Sequence, residues 1–175
     1  VDPAGQDPVE YLHRGDIATV TVQYSYLNSP LALMTQAQYG AEAARALFHE
    51  VYGHWRSLPS ESRPKLYLNG LSLGSLNSDL SFDLYDIIDD PFDGALWSGP
   101  PFRHQTWRQA TARRDPGTPP WLPEFRKGAV VRFMKQGGVT GGKDNPWGKF
   151  RILFLQYPSD PITFFSPATA WRAPD

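Results

Sequence analysis

Cysteine is absent from this chain of 175 residues. Its absence excludes disulfides, thiolate metal sites and a cysteine nucleophile. It leaves the compartment open, because exported proteins can lack cysteine too. Also missing is a run of about 18 or more apolar residues, so no segment reads as a membrane-spanning helix. No charge sign is in excess: 17 Lys and Arg stand against 18 Asp and Glu, a net charge of −1. That balance removes the electrostatic reason to expect nucleic acid or an acidic membrane surface as a partner. The basic pairs Arg113-Arg114 and Arg126-Lys127 read as solvated loop charges. Repeats and low-complexity tracts are absent. The chain opens on Val1 rather than Met, and the expectation is a segment of a longer protein. What is there is 41% hydrophobic and 14% aromatic, a globular composition able to bury a core. One domain over residues 1–175 is the natural reading.

The most informative feature is a single Gly-x-Ser-x-Gly, Gly70-Leu71-Ser72-Leu73-Gly74. Lys65 to Asn69 before it read as a short buried strand, and Ser75 to Asp90 after it read as a helix. Strand, Gly-x-Ser-x-Gly, helix is the context of a nucleophile elbow, a sharp turn that lifts a serine hydroxyl to the mouth of a parallel sheet. The flanking glycines are expected because such a turn leaves little room for side chains beside the serine.

Elsewhere, β-branched residues across Asp16–Tyr24 predict a strand, followed by a loop from Tyr24 to Pro30. Ala37, Ala41, Ala44, Phe48, Val51 and Trp55 recur at helical spacing and predict a long helix ended by Pro59. Leu76, Leu80, Leu84 and Ile87 would be the apolar stripe of the helix after the elbow. Asp79, Asp83 and Asp86 would be its solvated face rather than a metal site. Gly94–Gly99 predicts a strand, Phe102–Lys127 a long proline-rich segment, Ala129–Met134 a strand or hairpin arm, and Gly137–Gly148 a turn region without a phosphate-loop pattern. Phe150–Gln156 is the most hydrophobic strand and runs into Tyr157-Pro158-Ser159-Asp160-Pro161. Strands alternating with helices predict an α/β fold, a mostly parallel sheet with helices on both faces. Ser72 and Asp160 would then share one rim, off the carboxyl ends of the strands, where such sheets bind ligands.

A serine hydroxyl needs a base, an acid to orient that base, and donors for the oxyanion. Ser72 is the nucleophile candidate, and the backbone N–H of Leu73 is one oxyanion donor, assisted by the dipole of the following helix. Asp160 is the acid candidate, since the order in this fold is Ser, then Asp or Glu, then His. The base is missing. The four histidines are His13, His49, His54 and His104, and none follows Asp160. His49 and His54 sit five apart on the long helix and read as surface residues. His104 would give the unusual order Ser, His, Asp, so a substrate-binding or inert loop histidine is the preferred reading. An α/β fold of this type needs about 200–250 residues, so the domain is read as truncated at both ends, with the base outside the chain.

The stretch Arg63–Ser75 resembles the elbow of the actinobacterial α/β-hydrolase catalytic-domain family once classed as a domain of unknown function. Asp93–Pro101, Thr111–Gly117, Ser159-Asp160-Pro161 with Ser166-Pro167, and Gln23–Leu27 resemble other blocks of that family, so the similarity covers nearly the whole chain. One departure is Leu71, where relatives are expected to carry Glu. The resemblance implies a serine hydrolase attached to an amino-terminal multi-pass membrane region, hence a membrane location for the parent, with the catalytic histidine beyond residue 175. The expected activity is hydrolysis of an ester or lipid ester through an acyl-enzyme on Ser72, with no cofactor and no metal. Lipid is suggested by the implied anchor and by Trp97, Phe102, Trp107 and Trp121. An acyltransferase on the same serine and a catalytically inactive binding domain are the alternatives.

Overall fold

The computed structural model describes residues 3–23, 37–141 and 144–166. The expected Tyr24–Pro30 loop, most of the Gln23–Leu27 block and Pro167 lie outside those residues. Helix α1 spans Pro3–Leu12 and ends in a turn at Gly15. Residues 16–23 are exposed and irregular rather than a strand. β-propensity expresses how well a side chain fits a pleated, half-buried surface, and this segment has no partner strand among the described residues.

Helix α2, Ala37–Ser57, forms where the apolar spacing predicts it and stops before Pro59. It buries Phe48, Tyr52 and Trp55 against Ile87 and Phe92. Three polar contacts fix it there. The Tyr52 hydroxyl donates to Asp90 O at 2.7 Å, and Trp55 Nε1 donates to Pro64 O at 2.6 Å. Arg63 lies over the Trp55 ring at 3.7 Å and forks onto the Asp90 carboxylate.

Strands β1 (Tyr67–Leu71), β2 (Gly94–Ser98), β3 (Val131–Lys135), β4 (Gly138–Thr140) and β5 (Arg151–Leu155) form one sheet in the order β1-β2-β5-β3-β4. Every pair is parallel except the β3–β4 hairpin. Register places Leu68, Ala95, Ile152 and Val131 in one row across the sheet, and Gly70, Trp97, Phe154 and Phe133 in the next row on the same face. Helix α5, Gln105–Ala112, packs Trp107 and Ala110 onto this face to make the main core. Trp97 and Trp107 are therefore core residues. On the other face Tyr67, Leu71 and Leu96 are exposed.

The helix predicted over 75–90 is shorter and broken. Helix α3 spans Leu73–Asp79 and the single-turn α4 spans Leu84–Ile87. Ser81 turns back between them, its N–H and hydroxyl both donating to Ser78 O. Within the proline-rich segment, α5 is a helix that the turn residues conceal.

Candidate active site

β1 runs into α3 without a loop, and Ser72 is the hinge. Its backbone stands at φ 52, ψ −118, a region costly for a residue with a Cβ, on the order of 1–3 kcal/mol. The turn is possible because Gly70 lets the helix lie on the strand. A Cβ there would sit 2.5 Å from Gly74 O and 2.6 Å from Ser75 Cα. Gly74 is a different case, for among the described residues nothing lies within 4 Å of a Cβ at that position. So only the first glycine of the motif is demanded by close packing. The Ser75 hydroxyl donates to Ser72 O at 2.6 Å, and Ser72 N–H continues the sheet ladder to Ser98 O at 2.8 Å. Among the described residues the Ser72 hydroxyl has no hydrogen-bond partner. The N–H of Leu73, the first helical residue, belongs to the group of donors that a helix start leaves without intrahelical acceptors. Leu71 points to the opposite face of β1 and is 68% exposed.

The ladder passes along the rim. Gly99 N–H donates to Leu155 O at 2.8 Å and Gln156 N–H to Met134 O at 3.0 Å. Asp160 follows β5 on this rim. Its Oδ1 accepts from the N–H groups of Ile162 (2.9 Å) and Thr163 (3.2 Å), and its Oδ2 from the Thr163 hydroxyl (3.0 Å). A Cβ on Gly99 would lie 3.3 Å from Asp160 Oδ2, so the carboxylate rests over the residue that leaves β2. Since β2 neighbours β1, Ser72 and Asp160 stand off the carboxyl ends of the sheet, with the β2 exit between them.

His104 does not belong to this rim. It is 0% exposed, edge-on to the rings of Trp97 (4.8 Å) and Phe154 (5.2 Å). Its Nδ1 lies 3.1 Å from Asp79 Oδ2 and 3.3 Å from the N–H of Trp107. One ring nitrogen cannot donate to Asp79 while accepting from Trp107. The shorter contact to a carboxylate is the stronger one, so we assign the proton to Nδ1. Its Nε2 is buried, with no hydrogen-bond partner among the described residues. Among the described residues no hydrogen bond joins His104 to Ser72. His49 and His54 lie exposed on α2, and His13 is exposed with its Nδ1 against Val9 O of α1.

Asp79 departs furthest from the sequence reading. Asp83 and Asp86 are exposed, but the Asp79 side chain retains 5% exposure. It accepts from the N–H groups of Gln105 and Thr106, both at 3.1 Å, and from the Thr106 hydroxyl at 2.6 Å. Burial pushes its carboxyl up, but the hydrogen bond and proximity of His104, with the bonds from Thr106, outweigh burial and leave it below the ordinary carboxylate range. Among the described residues no group of three His, Asp or Glu is arranged to hold a metal, and no helix is long and apolar enough to cross a membrane.

A five-stranded, mostly parallel sheet with a strained serine between β1 and α3 defines an α/β fold of the hydrolase type. The model of the Alpha/beta-hydrolase family matches residues 1–175, and the chain belongs to that family. Neither a search of curated proteins nor a search of solved structures finds a match.

Proposed function

We propose that the chain carries the nucleophile and the acid of a serine hydrolase that cleaves esters, lipid esters included, through an acyl-enzyme. One observation carries the reading: Ser72 is held in a strained backbone with its hydroxyl free, on the rim that also carries the Asp160 carboxylate. In the reaction a base removes the Ser72 proton as Oγ attacks the ester carbonyl. The Leu73 N–H stabilises the oxyanion, the alcohol leaves with a proton from the base, and water reverses the sequence. Asp160 orients the base. We assign the base to a histidine outside residues 1–175; in support, His104 is buried, and among the described residues no hydrogen bond joins His13, His49 or His54 to Ser72 or Asp160. Family resemblance supports a parent protein anchored in a membrane through a region preceding Val1. The test is labelling of the full-length protein by a fluorophosphonate probe. Labelling abolished by Ser72→Ala supports the reading, and a wild-type protein that the probe leaves unmodified overturns it.

A further inference from the structure

We propose that Asp79 is a positioning residue for Ser72, a latch that holds the elbow helix to the loop on which Asp160 rests; this inference depends on Ser72 being the nucleophile. Helix α3 has seven residues, too few to be stable alone. Its own apolar cluster is small, Leu73 and Leu76 with Leu80, and it leans on β1 and α2. Yet it must maintain the positive φ of Ser72, and such backbone persists only where the surroundings over-determine it. At its start α3 is fixed by Ser72 N–H to Ser98 O. Along its side it is fixed by Trp97 Nε1 donating to Ser78 Oγ at 2.9 Å. At its end the fixing group is Asp79.

A carboxylate on the last residue of a helix opposes that helix's own dipole. Its position makes sense from the other partner, since it sits at the start of α5, where N–H groups lack acceptors and negative charge is favoured. The residue preceding α5 is His104, which supplies only the long contact from Trp107. Asp79 takes the N–H groups of Gln105 and Thr106 in its place, so one carboxylate ends α3 and caps α5. Two residues between β2 and α5, Gly99 and Phe102, meet the loop of the acid. Gly99 lies beneath Asp160 Oδ2, and Phe102 N–H donates to Ile162 O at 3.1 Å. A closed circuit results: Ser72, α3, Asp79, the start of α5, the 99–104 segment, Asp160. Opening it at Asp79 leaves both reactive groups present but frees the elbow to move relative to the acid.

The experiment is the kinetics of fluorophosphonate labelling of the full-length protein, separating the limiting rate from probe affinity, in variants whose fold is verified by circular dichroism. Asp79→Ala is expected to lower the limiting rate by about tenfold or more, within the range that small misplacements of reacting groups cost, with affinity changed less than about twofold. Asp79→Asn, which retains an acceptor oxygen, should recover part of that rate. A folded Asp79→Ala protein labelled at the wild-type limiting rate overturns the latch while leaving the serine assignment intact, whereas a wild-type protein that never labels overturns the serine assignment itself. Should Asp79→Ala fail to fold, Thr106→Val removes one donor alone. A loss of about threefold in its limiting rate supports the latch, and the wild-type rate in that folded variant contradicts it.

Discussion

Asp79 and Asp160 use nearly the same donors in different settings. Each accepts two backbone N–H groups and one threonine hydroxyl, from Gln105 and Thr106 in the first case and from Ile162 and Thr163 in the second. The differences are burial and a fourth partner. Asp79 is enclosed and has His104 against Oδ2. Asp160 stands on the rim over Gly99, and no further group bonds it among the described residues. A carboxylate whose acceptor sites are filled is committed to structure. One held by local donors, with a face left open, is rigid and still able to receive a histidine N–H. Two aspartates of the same type thus divide into a clamp and a candidate catalytic acid by what remains unfilled.

The sharpest way to break this comparison is to truncate each residue and read both activity and stability. For Asp160→Ala in the full-length protein, kcat/KM on an aryl ester should fall by about 10³–10⁴, as when the acid of a triad is lost, while the unfolding free energy from urea titration falls by only about 1 kcal/mol, the loss of local turn bonds. Asp79→Ala should show the reverse weighting, losing about 3 kcal/mol in urea unfolding, because the buried His104 and the half-buried Thr106 lose their partner. If the two variants behave alike in both measurements, the division is wrong.

Acid titration sharpens it further. The Asp79 carboxyl lies below its ordinary range in the folded protein, so its stabilising contribution is present above about pH 4 and is lost as pH falls through the folded-state value. Urea midpoints of Asp79→Asn should therefore fall less steeply than wild type between about pH 5 and pH 2.5. Asp90, held low by Arg63, remains as a second source of acid sensitivity in that variant. The smallest effect concerns Ser72. Ser72→Gly relieves the positive φ and should raise thermal stability by about 1 kcal/mol while removing the proposed nucleophile. A loss of stability would mean that the elbow is not strained.

The parts legible in the sequence are those whose causes are local. The elbow strand, β2, β3 and β5 follow from short apolar runs bounded by turn residues, and α2 from its spacing, while β4, Gly138–Thr140, falls inside the stretch expected to be only a turn. Ser72 and Asp160 stand at strand ends, where a parallel sheet puts its ligand rim. What escaped has long-range causes. Helix α5 is hidden among prolines, and the carboxylate that caps it lies 26 residues before Gln105. Asp79 looked solvated because Asp83 and Asp86 share its periodicity, and only the position of α5 turns it inward. His104 looked like a loop residue for the same reason. The β-branched segment 16–23 had the composition of a strand but has no partner strand among the described residues. Gln156 is a similar case, buried by bonds from Trp107 Nε1 at 2.6 Å and to Trp121 O at 2.9 Å that no spacing announces.

The most direct test of the central assignment is to map the fluorophosphonate adduct by mass spectrometry in the full-length protein. The adduct should fall within the tryptic peptide 66–103, fragment to Ser72, and disappear in Ser72→Ala. An adduct on any other residue, or none on a folded wild-type protein, would contradict it.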